Sequence, residues 1–281
     1  MAKIIKSQLG INNFTYRRYS FAYFLKAVKN MGLTSIELSG CHPHFTMFEA
    51  EKFDVKGFAK QIKDMGIKVA AIEPEQNFLP INIAANEEYF REQSIKQLSF
   101  YIENAKEFDC DKVILYPGKA LMNYPHSLAW KNSRESIKKL CDIAAQHGVT
   151  ILLEGVSNFI SDLMMDSVTV KRMLEEVGAD NLGVCVNSSA AYAAGETLED
   201  YFKLFGSKIQ MVQLSDSIED NEQLPWGEGN QDLKIHLETL RKYNYYGPIT
   251  LEIIEEEQAG HPDDSYGRSI EYFNQYADKE E

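Results

Sequence analysis

The run Ala144-Ala-Gln-His-Gly148-Val-Thr150-Ile-Leu-Leu-Glu154 carries the grammar of the whole fold. A helical turn closes on Gly148, because a residue without Cβ enters the left-handed conformation at no cost. A short β-branched, apolar run follows and ends on a charged residue. The same succession recurs where Gly32 precedes Ser35–Leu38, Gly66 precedes Lys68–Ile72 and Gly178 precedes Leu182–Asn187. Working outward, similar runs stand at Lys6–Ile11, Lys112–Tyr116, Ile209–Leu214 and Ile249–Ile253. Near-continuous apolar character predicts parallel strands covered on both faces.

Between these runs, apolar residues recur at helical spacing. Phe21, Phe24, Leu25 and Val28 form one such stripe, as do Ile95, Leu98, Ile102 and Ala105, and Ile137, Leu140, Ile143 and Ala144. Eight strands alternating with helices over 281 residues predict an α/β fold of one domain spanning 1–281, a single (β/α)8 TIM barrel. A doubly wound open sheet would call for a glycine-rich phosphate loop after an early strand, and neither GxGxxG nor GxxxxGK[ST] occurs.

The 29 basic against 42 acidic residues give a net charge of −13, which argues against nucleic acid or an anionic membrane surface as partner. No apolar run is long enough to span a membrane, and no secretory signal is visible. Cys41, Cys110, Cys141 and Cys185 form no CxxC pair, which points to reduced, buried thiols and a cytoplasmic location.

In a barrel of this kind, chemistry sits at the C-terminal ends of the strands. Strands five to eight place Glu154, Asn187, Gln213 and Glu252 there. Two carboxylates facing each other across a barrel mouth need a cation, a shared proton or strong donors. The pair therefore predicts either a divalent metal or a proton-transfer couple. On the other loops, His44 follows strand two, while Glu75 and Asn77 follow strand three as hydrogen-bond partners for a polyol. Trp130 and Trp226 could equally wall a sugar or pack beneath a loop.

The segments Leu-Leu-Glu154, Gly183-Val-Cys-Val-Asn187, Val-Gln213-Leu-Ser-Asp216, Pro225-Trp-Gly-Glu-Gly229 and Tyr246-Gly-Pro-Ile-Thr-Leu-Glu252 resemble the xylose isomerase-like TIM barrels, the sugar phosphate isomerase/epimerase superfamily. Within it, the fructoselysine 3-epimerases look most similar, at Ile36-Glu-Leu, Pro43-His44, Pro74-Glu75, Asn77, Trp130 and Asp216-Ser217. The resemblance implies an isomerase or epimerase acting on a small-molecule sugar, a ketose or ketosamine. It implies Glu154 and Glu252 as catalytic acid and base. It implies Glu154, Asn187, Gln213 and Glu252 as seats of a divalent metal (Mn, Mg or Co). His44, Glu75, Asn77 and Asp216 would bind substrate, and a homodimer or homotetramer would be the assembly.

This sequence departs from the superfamily pattern at four places. Asn187 stands for Asp, Gln213 for His, Ile160 for a substrate-facing Glu and Ala190 for His. Two chemistries stay open. The amide oxygens could hold a hard cation weakly. Alternatively, the amide NH2 groups could donate to the two glutamates, with no metal bound. A second function follows from the same departures: a weakened or inactive relative that binds a sugar without turnover. The DNA-repair endonuclease branch of the fold needs many more histidines than the six present, together with a basic groove.

Overall fold

The structure, a computed structural model, describes residues 2–47, 52–76, 81–219, 221–254 and 260–279. Eight parallel strands close into a barrel. These are β1 (Leu9–Asn12), β2 (Ser35–Gly40), β3 (Lys68–Pro74), β4 (Lys112–Leu115), β5 (Thr150–Glu154), β6 (Leu182–Asn187), β7 (Ile209–Leu214) and β10 (Ile249–Leu251). Around the ring they run β1-β10-β7-β6-β5-β4-β3-β2, each bonded to its neighbour. The predicted (β/α)8 barrel is therefore the architecture. A hairpin outside the barrel, β8 (Asp216–Ile218) with β9 (Asn221–Leu224), follows β7 directly.

The helices are α1 (Phe21–Asn30), α2 (Val55–Asp64), α3 (Glu88–Asn104), α4 (His126–Gln146), α5 (Ser167–Val177), α6 (Ser188–Ala193), α7 (Leu198–Phe205), α8 (Leu233–Lys242) and α9 (Pro262–Tyr276). Gly32, Gly66, Gly148 and Gly178 take positive φ (71°, 65°, 61° and 64°), closing the helices that the sequence marked. None of the helices is long and apolar enough to cross a membrane.

Strand boundaries differ from expectation mainly at the first and last strands. Lys6–Gln8 forms a 3-10 turn, and pairing with β10 starts at Leu9. The Lys6 and Gln8 side chains donate instead to the Met31 and Gly247 carbonyls. At the other end β10 stops at Leu251, although the Glu252 amide still donates to the Leu214 carbonyl.

Two apolar layers result from strand alternation. The outer layer packs strand against helix and holds Ile36, Leu38, Leu153, Val184, Val186, Val212, Leu214 and Leu251 with the helix stripes. The inner one is a small plug of Ala71, Ile114, Tyr116, Leu152, Val156, Cys185 and Met211. All four cysteines are buried and free.

Candidate active site

The inner plug fixes the site. Side chains two residues apart on a strand share a face. Two residues beyond Ala71, Ile114, Leu152, Cys185 and Met211 stand Glu73, Tyr116, Glu154, Asn187 and Gln213. Thr250 leads to Glu252, Ser35 to Glu37 and Gly10 to Asn12 in the same way. Each strand thus places one side chain in a polar layer resting on an apolar floor. The layer holds four carboxyl groups, Glu37, Glu73, Glu154 and Glu252, all at most 5% exposed.

A network of amides and one phenol ties them together. Asn187 Nδ2 donates to Glu252 Oε2 (2.6 Å) and to Glu154 Oε1 (3.2 Å). Gln213 Nε2 donates to Glu37 Oε1 (2.8 Å). Asn12 Nδ2 donates to Glu37 Oε1 and Glu73 Oε2 (3.0 Å each). Tyr116 donates its hydroxyl proton to Glu73, and Gln223 Nε2, from the β8–β9 hairpin, donates to Glu252 Oε2 (2.8 Å). One oxygen each of Glu37, Glu154 and Glu252 makes no hydrogen bond.

Burial raises the affinity of all four carboxyls for a proton; repulsion from neighbouring glutamates adds to it at Glu37, Glu154 and Glu252, whereas hydrogen bonds from Tyr116 and Asn12 oppose it at Glu73. Glu37 is pushed up to about 8 by burial and then by the charge of Glu73. Glu154 and Glu252 lie well above the ordinary carboxylate range, first through burial, then through the neighbouring glutamates. The bonds from Asn187 and Gln213 oppose the rise at Glu154, as does the bond from Gln223 at Glu252. The Tyr116 phenol is held neutral by burial and by the surrounding carboxylates.

The amide orientations decide what Asn187 and Gln213 can offer. Asn187 caps α6: its Oδ1 accepts from the amides of Ser189 (3.0 Å) and Ala190 (3.3 Å). Those backbone groups only donate, so the atom facing them is oxygen and the NH2 faces the glutamates. Gln213 likewise turns its Oε1 to the Cys185 thiol (3.4 Å) and its NH2 to Glu37. A divalent cation in such a barrel would polarise a substrate carbonyl. At positions 154, 187, 213 and 252, however, two of the four side chains present hydrogens where a cation needs lone pairs. That set does not fit a metal. A different trio, Glu37, Glu73 and Glu252, brings one carboxylate oxygen from each within 4.8 Å of the others.

The remaining predicted residues are placed as follows. Glu75 is half-buried just past β3, where burial raises its carboxyl and His42 draws it back. His44 is buried, bonded to Asn13 Nδ2 (3.1 Å) and the Tyr19 carbonyl (2.8 Å), with Phe21 and Phe24 against its ring. Asp216 accepts from the backbone amides of Ser217, Gly227, Gly229 and Gln231, at 2.8–3.0 Å, and so clamps the loop 225–231. A Cβ at Gly229 would meet the Ser217 backbone at 2.5 Å, so only glycine passes under that clamp. Asn77 lies outside the described residues. Trp130 packs on α4 and donates to Glu176 (2.9 Å), and Trp226 stacks on Tyr272, so both serve packing. Ile160 packs against the inner plug.

Strand-end reading missed Asn12, Glu37, Glu73, Tyr116 and Gln223. For the first four the signal was present. Each stands two residues beyond a small or apolar floor residue, as Glu154 and Gln213 do.

With this geometry in view, the comparisons with known proteins decide the family. The description "xylose isomerase-like TIM barrel" matches residues 25–276. The chain belongs to that family. It is 25% identical over 252 residues to fructoselysine 3-epimerase of Shigella flexneri, covering 87% of this chain and 89% of that protein. Its fold is similar to that of 3-keto-D-glucoside 4-epimerase from E. coli (TM-score 0.80, 17% identity, 96% of this chain and 100% of that one). An L-ribulose 3-epimerase structure also superposes, with TM-score 0.80 and 20% identity over 98% of this chain and 94% of that one. All three of these relatives are named as sugar epimerases.

Proposed function

We propose that this barrel is a sugar epimerase or isomerase acting on a ketose or ketosamine, with Glu154 and Glu252 as its proton-transfer pair. One observation carries the reading. The two carboxyls are buried, a single amide group, that of Asn187, spans them, and each keeps one oxygen free of hydrogen bonds. Two such groups do not both ionise readily in a dry pocket, so at neutral pH one holds a proton and the other is free to take one. The ionised carboxylate removes the proton on the carbon next to the carbonyl. The protonated partner delivers one to the opposite face, and the reaction leaves the pair exchanged. Asn187 holds the spacing, while Gln223 steadies Glu252. The four buried, free thiols support a cytoplasmic setting for this chemistry.

The test is solvent exchange. Incubated in heavy water with candidate ketoses and ketosamines, including fructoselysine, the protein should place deuterium at the carbon next to the carbonyl. A substrate panel that takes up none, while a known epimerase labels its own sugar in parallel, rejects the reading.

A second reading is favoured by the Asn187 and Gln213 amides: a descendant that binds sugars without turning them over. Here the combined variant Asn187→Asp, Gln213→His and Ile160→Glu is decisive. Exchange that emerges only in the variant supports binding without turnover. Exchange already present in the wild type eliminates it.

A further inference from the structure

The family's ligand positions fail to present a cation cage here, yet the pocket holds four buried carboxyl groups. The neighbours weighing most on Glu37, Glu73, Glu154 and Glu252 are one another and neutral donors, with no lysine or arginine among them. We infer that this chain seats a hard divalent cation between Glu37, Glu73 and Glu252, displaced from Glu154 toward β2 and β3.

Three features converge. The first is geometric. One oxygen from each carboxyl lies within 4.8 Å of the others. Two oxygens on one calcium ion stand at most twice a bond of about 2.4 Å apart, so the trio is already close to ligating distance. The second is the pattern of hydrogen bonds. Asn12 and Gln213 hold Glu37 by Oε1 and leave Oε2 without a partner. Asn187 and Gln223 hold Glu252 by Oε2 and leave Oε1 without one. Glu37 and Glu252 are thus oriented by donors on one oxygen and open on the other, as outer partners orient metal ligands, while Glu73 is held on both oxygens by neutral donors, Tyr116 and Asn12. The third lies outside the trio. The Thr250 hydroxyl shares a face of its strand with Glu252. It is fully buried and makes no hydrogen bond of ordinary geometry. A buried neutral oxygen beside Glu37 is a further ligand for a cation.

The charges agree as well. The trio offers three formal negative charges, whereas positions 154, 187, 213 and 252 offer two. An all-oxygen set selects Mn2+, Mg2+ or Ca2+ over the softer transition metals. Glu154 stands outside the seat. The inference therefore goes beyond the epimerase reading, and it is tested without any sugar.

The full-length protein, stripped with chelator, is titrated with Mn2+ alone. Free Mn2+ is followed by electron paramagnetic resonance and the thermal midpoint in parallel. The wild type should bind one ion saturably and gain roughly 2–4 °C at about a hundred times the dissociation constant. Glu73→Gln, nearly isosteric and neutral, should weaken binding about tenfold or more. Glu37→Gln provides a second variant should the first not fold. Glu154→Gln should leave binding within about twofold of wild type. Loss in Glu154→Gln as large as that in Glu73→Gln overturns the inference, because the ion then sits at the family's position. Absence of saturable binding by the wild type also overturns it, and the deuterium-exchange test of the epimerase reading stands unaffected.

Discussion

The barrel mouth has two unlike halves. On the side of β5, β6, β7 and β10, Glu154 and Glu252 stand apart with Asn187 between them, each with a free oxygen. On the side of β1 to β4, Glu37 and Glu73 are gripped by Asn12 and Tyr116, and Gln213 reaches across to hold Glu37 from the other half. The first half is spaced for moving a proton, and the second is braced to keep a shape. The largest expected effect follows from that contrast. Glu154→Gln and Glu252→Gln should each lower deuterium exchange by roughly 10²–10⁴-fold, the usual scale for removing a positioned acid or base. Glu73→Gln should lower it far less when both are measured with the metal-stripped protein. Equal losses in the two halves would erase the distinction.

The working half depends on a hairpin that has no counterpart among the described residues of the other half. β8 and β9 bring Gln223 onto Glu252, with Gln223 itself at φ 61°, a left-handed conformation that a non-glycine residue adopts only when its surroundings impose it. The Gln223 amide donates to Ser189 Oγ and its carbonyl accepts from the Ile254 amide, while Asp216 clamps the loop that follows the hairpin through four backbone amides. Bonds from N–H groups to a buried carboxylate contribute about 1.5–3 kcal/mol each, and they are not additive. Asp216→Asn, which turns NH2 toward amides that only donate, should cost about 3 kcal/mol or more in chemical denaturation. Hydrogen exchange should speed up selectively over 217–231. A stability loss without local exchange at that loop would separate Asp216 from the hairpin.

Asn187 ties together the working half and shows what a single amide does. Removing it as Asn187→Ala loses the α6 cap and leaves two buried carboxyls without their common donor, about 2–3 kcal/mol in all. Asn187→Asp keeps a capping oxygen but adds a carboxylate beside Glu154 and Glu252. Its chelator-treated form should melt below wild type and should gain more from Mn2+ than wild type does. Thermal midpoints of the three proteins, with and without the ion, check both statements.

How much of this was legible follows from strand periodicity. The barrel could be read from eight apolar runs and the glycines that close the preceding helices, because burial on both faces leaves an unbroken signature. Glu154, Asn187, Gln213 and Glu252 were legible because each is the polar residue at, or within one residue of, the end of an apolar strand. Glu37 sits inside Ile-Glu-Leu, where an apolar run conceals it, and the chain gives no local hint that Asn12 on the neighbouring strand will satisfy it. Tyr116 reads as an apolar strand residue until its hydroxyl is seen on Glu73. The direction in which Asn187 and Gln213 turn their amides depends on α6 and on Cys185, which lie on other contacts of the fold. Sequence spacing could name the residues but not the orientation that decides between ligand and donor.

Titration separates the site from its scaffold. A carboxyl raised above its unfolded value holds its proton in the native state, so its stabilisation is present at low pH and is lost as pH rises through the folded value. For Glu37 that window runs from about 4.3 to about 8, and the metal-free protein should lose stability across it. His236 works in the opposite sense. Its ring, between Trp226 and Gln231 Oε1, is held neutral by burial and lowered to about 4. The unfolded chain takes up a proton near 6.5 and the folded one does not, so stability falls as pH drops from about 6.5 to about 4. The partly solvated ring keeps this near 1–2 kcal/mol, smaller than the effects above. Glu37→Gln should make the alkaline limb shallower, with Glu73, Glu154 and Glu252 still contributing to it, and His236→Gln should flatten the acid limb alone in denaturation profiles from pH 4 to 9. If His236→Gln instead flattens the alkaline limb, the scaffold around Trp226 is coupled to the carboxyl layer and the two halves are not electrostatically separate from it.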